Sequence, residues 1–148
     1  MRSTPIRVLT GFMIVLVMIA PTARAELICL GNISQDLISN IDDLGQIVTG
    51  EQTSWANGST IRLALPGKSS PQLEGISARF TTSTGKELQR HWLRLAFTGR
   101  AAPPKFFDSN EALLNYLRKT PGSVGFLEAD ESFNLDGLTQ IQIRQENG

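Results

Sequence analysis

The chain has 148 residues, 14 basic and 14 acidic side chains, and 41% hydrophobic residues. That suffices for one domain with its own core and is short for two. Without a basic patch interleaved with aromatics, the balanced charge argues against a nucleic-acid-binding surface.

Arg2 and Arg7 precede an uncharged run, Val8–Ala20, followed by Pro21 and then Ala23-Arg24-Ala25. The run is shorter than the ~20 apolar residues a membrane span requires. With its A-x-A end it reads as a secretory signal peptide, cleaved before Glu26. Residues 26–148 then form the mature domain. Removing residues 1–25 takes away three bases and no acid, leaving 123 residues with 11 bases against 14 acids.

Leu27–Leu30 is an uninterrupted apolar run, the pattern of a strand buried on both faces in a parallel or mixed sheet. It contains Cys29, the only cysteine, which has no disulfide partner within the chain and reads as a core residue. Glu26-Leu27-Ile28 lacks the small residue that a lipoprotein cleavage site before Cys29 would need. Ser39 three residues before Asp42 suggests a helix start, with Ile41, Leu44, Ile47 and Val48 on its apolar face and Gly50 ending it. Glu51–Ser59 is a loop carrying Trp55 and an Asn57-Gly58 turn. Thr60–Leu65 reads as a second strand.

Pro66-Gly67-Lys68-Ser69-Ser70-Pro71 follows that strand. Ser70 suits an N-cap and Pro71 the first helical position, with Leu73, Ile76 and Phe80 as the buried face of the helix. A strand running through a Gly-Ser loop into a helix start can hold an oxyanion, because free N–H groups and the helix dipole point at one spot. Gly67, Lys68, Ser69 and Ser70 are therefore the candidate ligand-binding residues. The alternative is ordinary capping, which needs one serine only.

After a linker, Thr81–Gly85, a helix places Leu88, Trp92, Leu95 and Ala96 on one stripe, with His91 at its edge. Gly99 suits a left-handed C-terminal cap and Pro103-Pro104 forbids further helix. Asp108 and Glu111 match an acidic capping box ahead of Ala112, Leu113, Leu114 and Leu117. Lys119 suits the C-terminal dipole, and Pro121-Gly122 stops the helix. Ser123–Ala129 reads as a buried strand and Leu138–Arg144 as a last, edge strand.

The chemistry of catalysis is sparse. The one His and the one Cys are better explained as structure, no G-x-S-x-G occurs, and the carboxylate pairs Asp42-Asp43 and Asp130-Glu131 have no His partners. No P-loop or dinucleotide fingerprint is present. These features point away from an enzyme and imply no cofactor.

The pattern W-x4-FTG-x3-PP from Trp92, then EALLNYLRKTPGSVGFLE, resembles the periplasmic phosphate-binding-protein-like family, which includes short proteins named as phosphate ABC transporter substrate-binding proteins. Leu44, Gly50, Trp55 and Gly58 continue the likeness, which spans roughly Leu27 to Ala129. It implies an α/β fold, one lobe of a type II periplasmic binding protein, with a mixed sheet of about four strands flanked by helices. It also implies a periplasmic, non-catalytic solute-binding role toward a small oxyanion such as phosphate, serving an inner-membrane transporter or sensor. The family's Ser-Gly-Thr helix start is matched loosely by Ser69-Ser70-Pro71. Its Arg, which would fall near Pro66-Gly67, is absent, and its Gly-Ala-Gly-Ser loop is replaced by Gly31-Asn32-Ile33-Ser34. A single lobe leaves the site open to water, so tight capture would need a second surface, from a homodimer or a membrane partner. Two alternatives stay open: an interaction module that has lost its ligand and docks on a membrane sensor, and a small hydrolase.

The mature protein is expected to start at Glu26. Intact-mass measurement finding Met1–Ala25 retained, or a diacylglyceryl adduct on Cys29, would contradict that reading.

Overall fold

The computed structural model describes residues 26–38, 44–129 and 133–143. The expected leader 1–25, the helix start at Ser39, Ile41 and Asp42, and Arg144 lie outside them, as do the acidic pairs at 42–43 and 130–131.

The elements are β1 (Glu26–Gly31), α1 (Gln35–Ile38), α2 (Leu44–Thr49), β2 (Arg62–Pro66), α3 (Pro71–Phe80), α4 (Gly85–Phe97), β3 (Lys105–Phe107), α5 (Asn110–Lys119), β4 (Ser123–Ala129) and β5 (Thr139–Ile141). They form a mixed α/β fold around one sheet, ordered β3-β2-β4-β1-β5. β2 runs parallel to both β3 and β4, whereas β1 runs antiparallel to β4 and β5.

The expected sheet of about four strands is corrected to five by β3. This strand has three residues, too few to show a period, and it exists through its parallel pairing with β2 at Ala64–Lys105, Leu65–Phe106 and Pro66–Phe107. β5 is an edge strand as expected, but covers only Thr139–Ile141.

Strand alternation divides the core into two layers. Cys29, Leu63, Leu65, Val124, Phe126 and Ile141 face one side, where α2, α3 and α4 cover them with Ile47, Val48, Leu73, Ile76, Leu88 and Trp92. Ile28, Leu30, Ala64 and Leu127 face the other side, covered by Leu113, Leu114 and Leu117 of α5. Cys29 is wholly buried, and desolvation pushes its thiol far above the ordinary range, so it stays protonated.

Helix boundaries follow from side-chain capping. The linker before α4 holds a complete capping box that sequence reading passed over: Thr84 Oγ1 accepts from Glu87 N at 3.3 Å, and Glu87 Oε2 accepts from Thr84 N at 2.8 Å. At the other end Gly99 takes φ 67°, with Gly99 N donating to Ala96 O and Arg100 N to Leu95 O, a Schellman cap. The expected Asp108–Glu111 box is not formed. Ser109 is the cap of α5, extended at φ −133° and ψ 148°, with Oγ accepting from Ala112 N at 3.1 Å. Asp108 lies one residue too early to reach those amides.

α2 and α4 lock together through polar groups as well as packing. Trp92 Nε1 donates to Val48 O at 2.9 Å, and His91 Nε2 donates to Thr49 O at 2.6 Å. These carbonyls belong to the last turn of α2 and have no partner within the helix. Gly50 continues with φ 77°, and a Cβ there would come within 2.7 Å of Leu95 and 2.9 Å of Trp92. His91 is thus a packed, hydrogen-bonded side chain. Leu88 and Trp92 are buried on the expected stripe, whereas Leu95 and Ala96 are half-buried at its margin.

Trp92→Ala removes both the indole volume and the cap on Val48. It is expected to lower stability by about 3–5 kcal/mol. Urea denaturation checks this; a midpoint equal to wild type would contradict the central role of Trp92.

Candidate functional site

β2 and β3 lie side by side and end at the same edge of the sheet. From there the chain leaves in opposite directions. After Pro66 it enters α3, on the face that carries Trp92; after Phe107 it enters α5, on the other face. A crevice opens where neighbouring parallel strands send their connections to opposite faces, and such crevices are where open α/β sheets bind ligands. A depression at this point is lined by Gly67, Lys68, Ser69, Ser70, Phe106 and Asp108.

The four candidate residues form one tight turn, closed by Ser70 N donating to Gly67 O at 2.8 Å. Ser70 is the N-cap of α3, with its Oγ accepting from Gln72 N at 3.1 Å and Pro71 at the first helical position. Leu73 N donates to Ser70 O at 3.1 Å. Much of the donor capacity at this helix start is therefore spent inside the chain. The Ser69 hydroxyl carries no hydrogen bond to a described residue and stands at the rim of the depression. Lys68 places Nζ 5.2 Å from the centre of the Phe106 ring, a cation–π contact.

Asp108, a capping residue by its sequence position, lies in the lining of the depression instead. A Cβ on Gly67 would sit 2.8 Å from Asp108 Oδ1, so the bare Gly67 backbone and the carboxylate share one small space. Gly67 is needed for this approach. The crevice therefore presents an acceptor beside the turn that was expected to supply donors.

Side-chain amides hold the frame. Gln72, in the first turn of α3, accepts from Glu128 N at 3.1 Å, and Asn110, the first residue of α5, donates to Glu128 O at 3.4 Å. Both helix starts are thereby fixed to the end of β4. From outside, Gln89 of α4 donates to Lys68 O at 2.9 Å and steadies the turn. Sequence reading missed Phe106, Asp108, Gln72 and Asn110 as site residues. The available signal was a repeated arrangement, a strand end followed by a serine cap, at Pro66–Ser70 and Phe107–Ser109.

A second depression is lined by Thr49, Glu51, Thr81, Ser83, Glu87, Leu88, Arg90, His91 and Arg94. His91 and hydroxyl residues meet there, but Nε2 of His91 is committed to the Thr49 carbonyl and no described hydroxyl bonds the ring. No group of three or more metal-ligating side chains occurs among the described residues. No described helix is long and apolar enough to cross a membrane. No protein-family model, curated protein or solved structure matches the chain.

Ser70→Ala is expected to cost about 1 kcal/mol, because Gln72 N loses its acceptor, whereas Ser70→Asp should keep the cap. Equal urea midpoints for wild type and Ser70→Ala would show that the cap contributes nothing.

Proposed function

We propose that the protein is a non-catalytic solute-binding protein for a small oxyanion that carries a proton, phosphate first among them, working in the periplasm beside an inner-membrane transporter or sensor. The observation that carries this reading is the Asp108 carboxylate set against the Gly67–Ser70 turn in the crevice at the strand ends. The start of α3, Lys68 and the Ser69 hydroxyl offer positive potential and a donor. Asp108 accepts a hydrogen bond from the P–O–H group of hydrogen phosphate, and it repels sulfate, which has no proton at neutral pH. The likeness to the phosphate-binding-protein-like family, and to one lobe of a type II periplasmic binding protein, supports the same class of ligand. The depression is open to solvent on one side, so a partner surface, from a second copy or a membrane protein, would complete it.

A second reading is a docking module without a ligand. It is favoured by the internal hydrogen bonds of the turn, which leave few donors for an anion.

Isothermal titration separates the two. Phosphate is expected to bind at least about tenfold tighter than sulfate, the scale of one charge-assisted hydrogen bond. Asp108→Asn should narrow that preference, and Ser69→Ala should weaken phosphate binding. No heat with either anion at millimolar concentration would transfer the lead to the docking module. Sulfate binding as tight as phosphate would remove the role given to Asp108.

A further inference from the structure

The outward side of α4 has an unusual make-up. Lys86, Arg90, Leu93, Arg94 and Phe97 fall at i, i+4, i+7, i+8 and i+11, one stripe of the helix, and all five are exposed. Leu93 is 55% exposed and Phe97 is 89% exposed, the large hydrophobic side chains of the described structure that stand most openly in water. Scattered apolar residues on a surface need no explanation. Here two of them, one aromatic, share a stripe with three bases, and a fourth base, exposed Arg100, follows directly after the cap at Gly99, so the helix assembles a basic patch where the sequence was expected to have none. No salt bridge or side-chain hydrogen bond to a described residue engages Lys86, Arg90, Arg94 or Arg100. Among the described residues, the acids placed beside α4 are Glu87, which is held in its capping box, Glu74, which accepts from Gly85 N at 3.0 Å, and Glu51, which lines the depression flanking Arg90 and Arg94.

We propose that this stripe docks the domain on an anionic phospholipid surface. The bases meet lipid phosphates at headgroup level, and Leu93 and Phe97 enter the boundary of the acyl chains beneath them. Charge complementarity selects the partner's sign. The shape of the face selects lipid over an acidic polypeptide. The stripe lies along one helix whose apolar side chains project outward, and neither of the two depressions described above is lined by Leu93 or Phe97. A fluid interface flows around such protruding tips without a preformed groove. The opposite stripe, with Leu88 and Trp92, is buried, so α4 is fixed to the core while its outer side is free to dock. The proposal concerns a different face from the crevice at Gly67 and does not depend on a ligand there.

The test uses the full chain with a fluorescent, environment-sensitive label on Leu93→Cys; Cys29 is wholly buried and stays unlabelled in the folded protein. The probe is a vesicle of phosphatidylglycerol and phosphatidylcholine, compared with phosphatidylcholine alone. The label reports this face even if the apolar run in residues 8–20 also touches lipid. The expected result is a blue shift with anionic vesicles only, reversed by high salt. Arg90→Gln with Arg94→Gln should weaken binding roughly tenfold or more, and Phe97→Ser should also weaken it, each with an unchanged melting temperature because these side chains lie outside the core. A label that stays in water with anionic vesicles overturns the proposal. So does an equal shift with neutral vesicles, or a shift with polyglutamate as large as with lipid, which would point to an acidic polypeptide.

Discussion

Everything in this fold depends on burying β4 from both sides. Val124 and Phe126 face α3, where Phe126 meets Phe80 edge-on with ring centres 5.1 Å apart. Leu127 faces α5, and beside it Gly125 leaves a gap that Leu113 and Leu117 fill; a Cβ there would lie 2.9 Å from Leu113 Cδ2. A fully buried aliphatic side chain is stabilised by about 1.5–3 kcal/mol. Close packing of α5 on the sheet thus rests on a residue with no side chain. β4 also joins the two halves of the sheet, running parallel to β2 and antiparallel to β1. Its entry point is equally constrained. Gly122, at φ 79°, donates to Asn32 O, while its own carbonyl accepts from Trp55 Nε1 at 2.9 Å and from Arg62 N.

The layer formed by α2, α3 and α4 is built from unpaired backbone groups finding partners on neighbouring elements. The last carbonyls of α2 are taken by Trp92 and His91, and the first amide of α4, on Gly85, donates to Glu74 of α3 at 3.0 Å. Gln89 of the same helix reaches the turn at Lys68. The polar ties that fix α4 in the core therefore also fix the edge of the crevice. Geometry at the strand ends follows from packing far behind it.

Much of this was legible in the sequence because it is local. Gly50 and Gly99 each mark a helix end by taking positive φ, Ser70-Pro71 marks a helix start, and the Leu88–Trp92 spacing marks a buried stripe. Other features are not local. β3 is stable only where β2 runs alongside it, and its sequence, Lys-Phe-Phe, carries no alternation of its own. Asp108 and Ser109 are both good capping residues, and backbone direction at the end of β3 decides between them. The meeting of Asp108 with Gly67 depends on parallel register between strands some forty residues apart. The capping box at Thr84 and Glu87 was readable in principle, since it has the S/T-x-x-E spacing. The polar run Thr81–Gly85 has the composition of a linker, which masks it.

The antiparallel pairing of β1 sets the order in which the chain can complete itself. β1 leads the described domain, yet its partner β4 lies roughly a hundred residues further on, and β5 further still. Contacts of such sequence separation require a large loop to close first, which slows folding. Until the last third of the chain is made, Leu27–Leu30 has neither ladder partner nor core, and the Cys29 thiol is accessible. The nascent protein therefore passes through a period with an unpaired apolar strand, a state vulnerable to aggregation or thiol oxidation if it is prolonged.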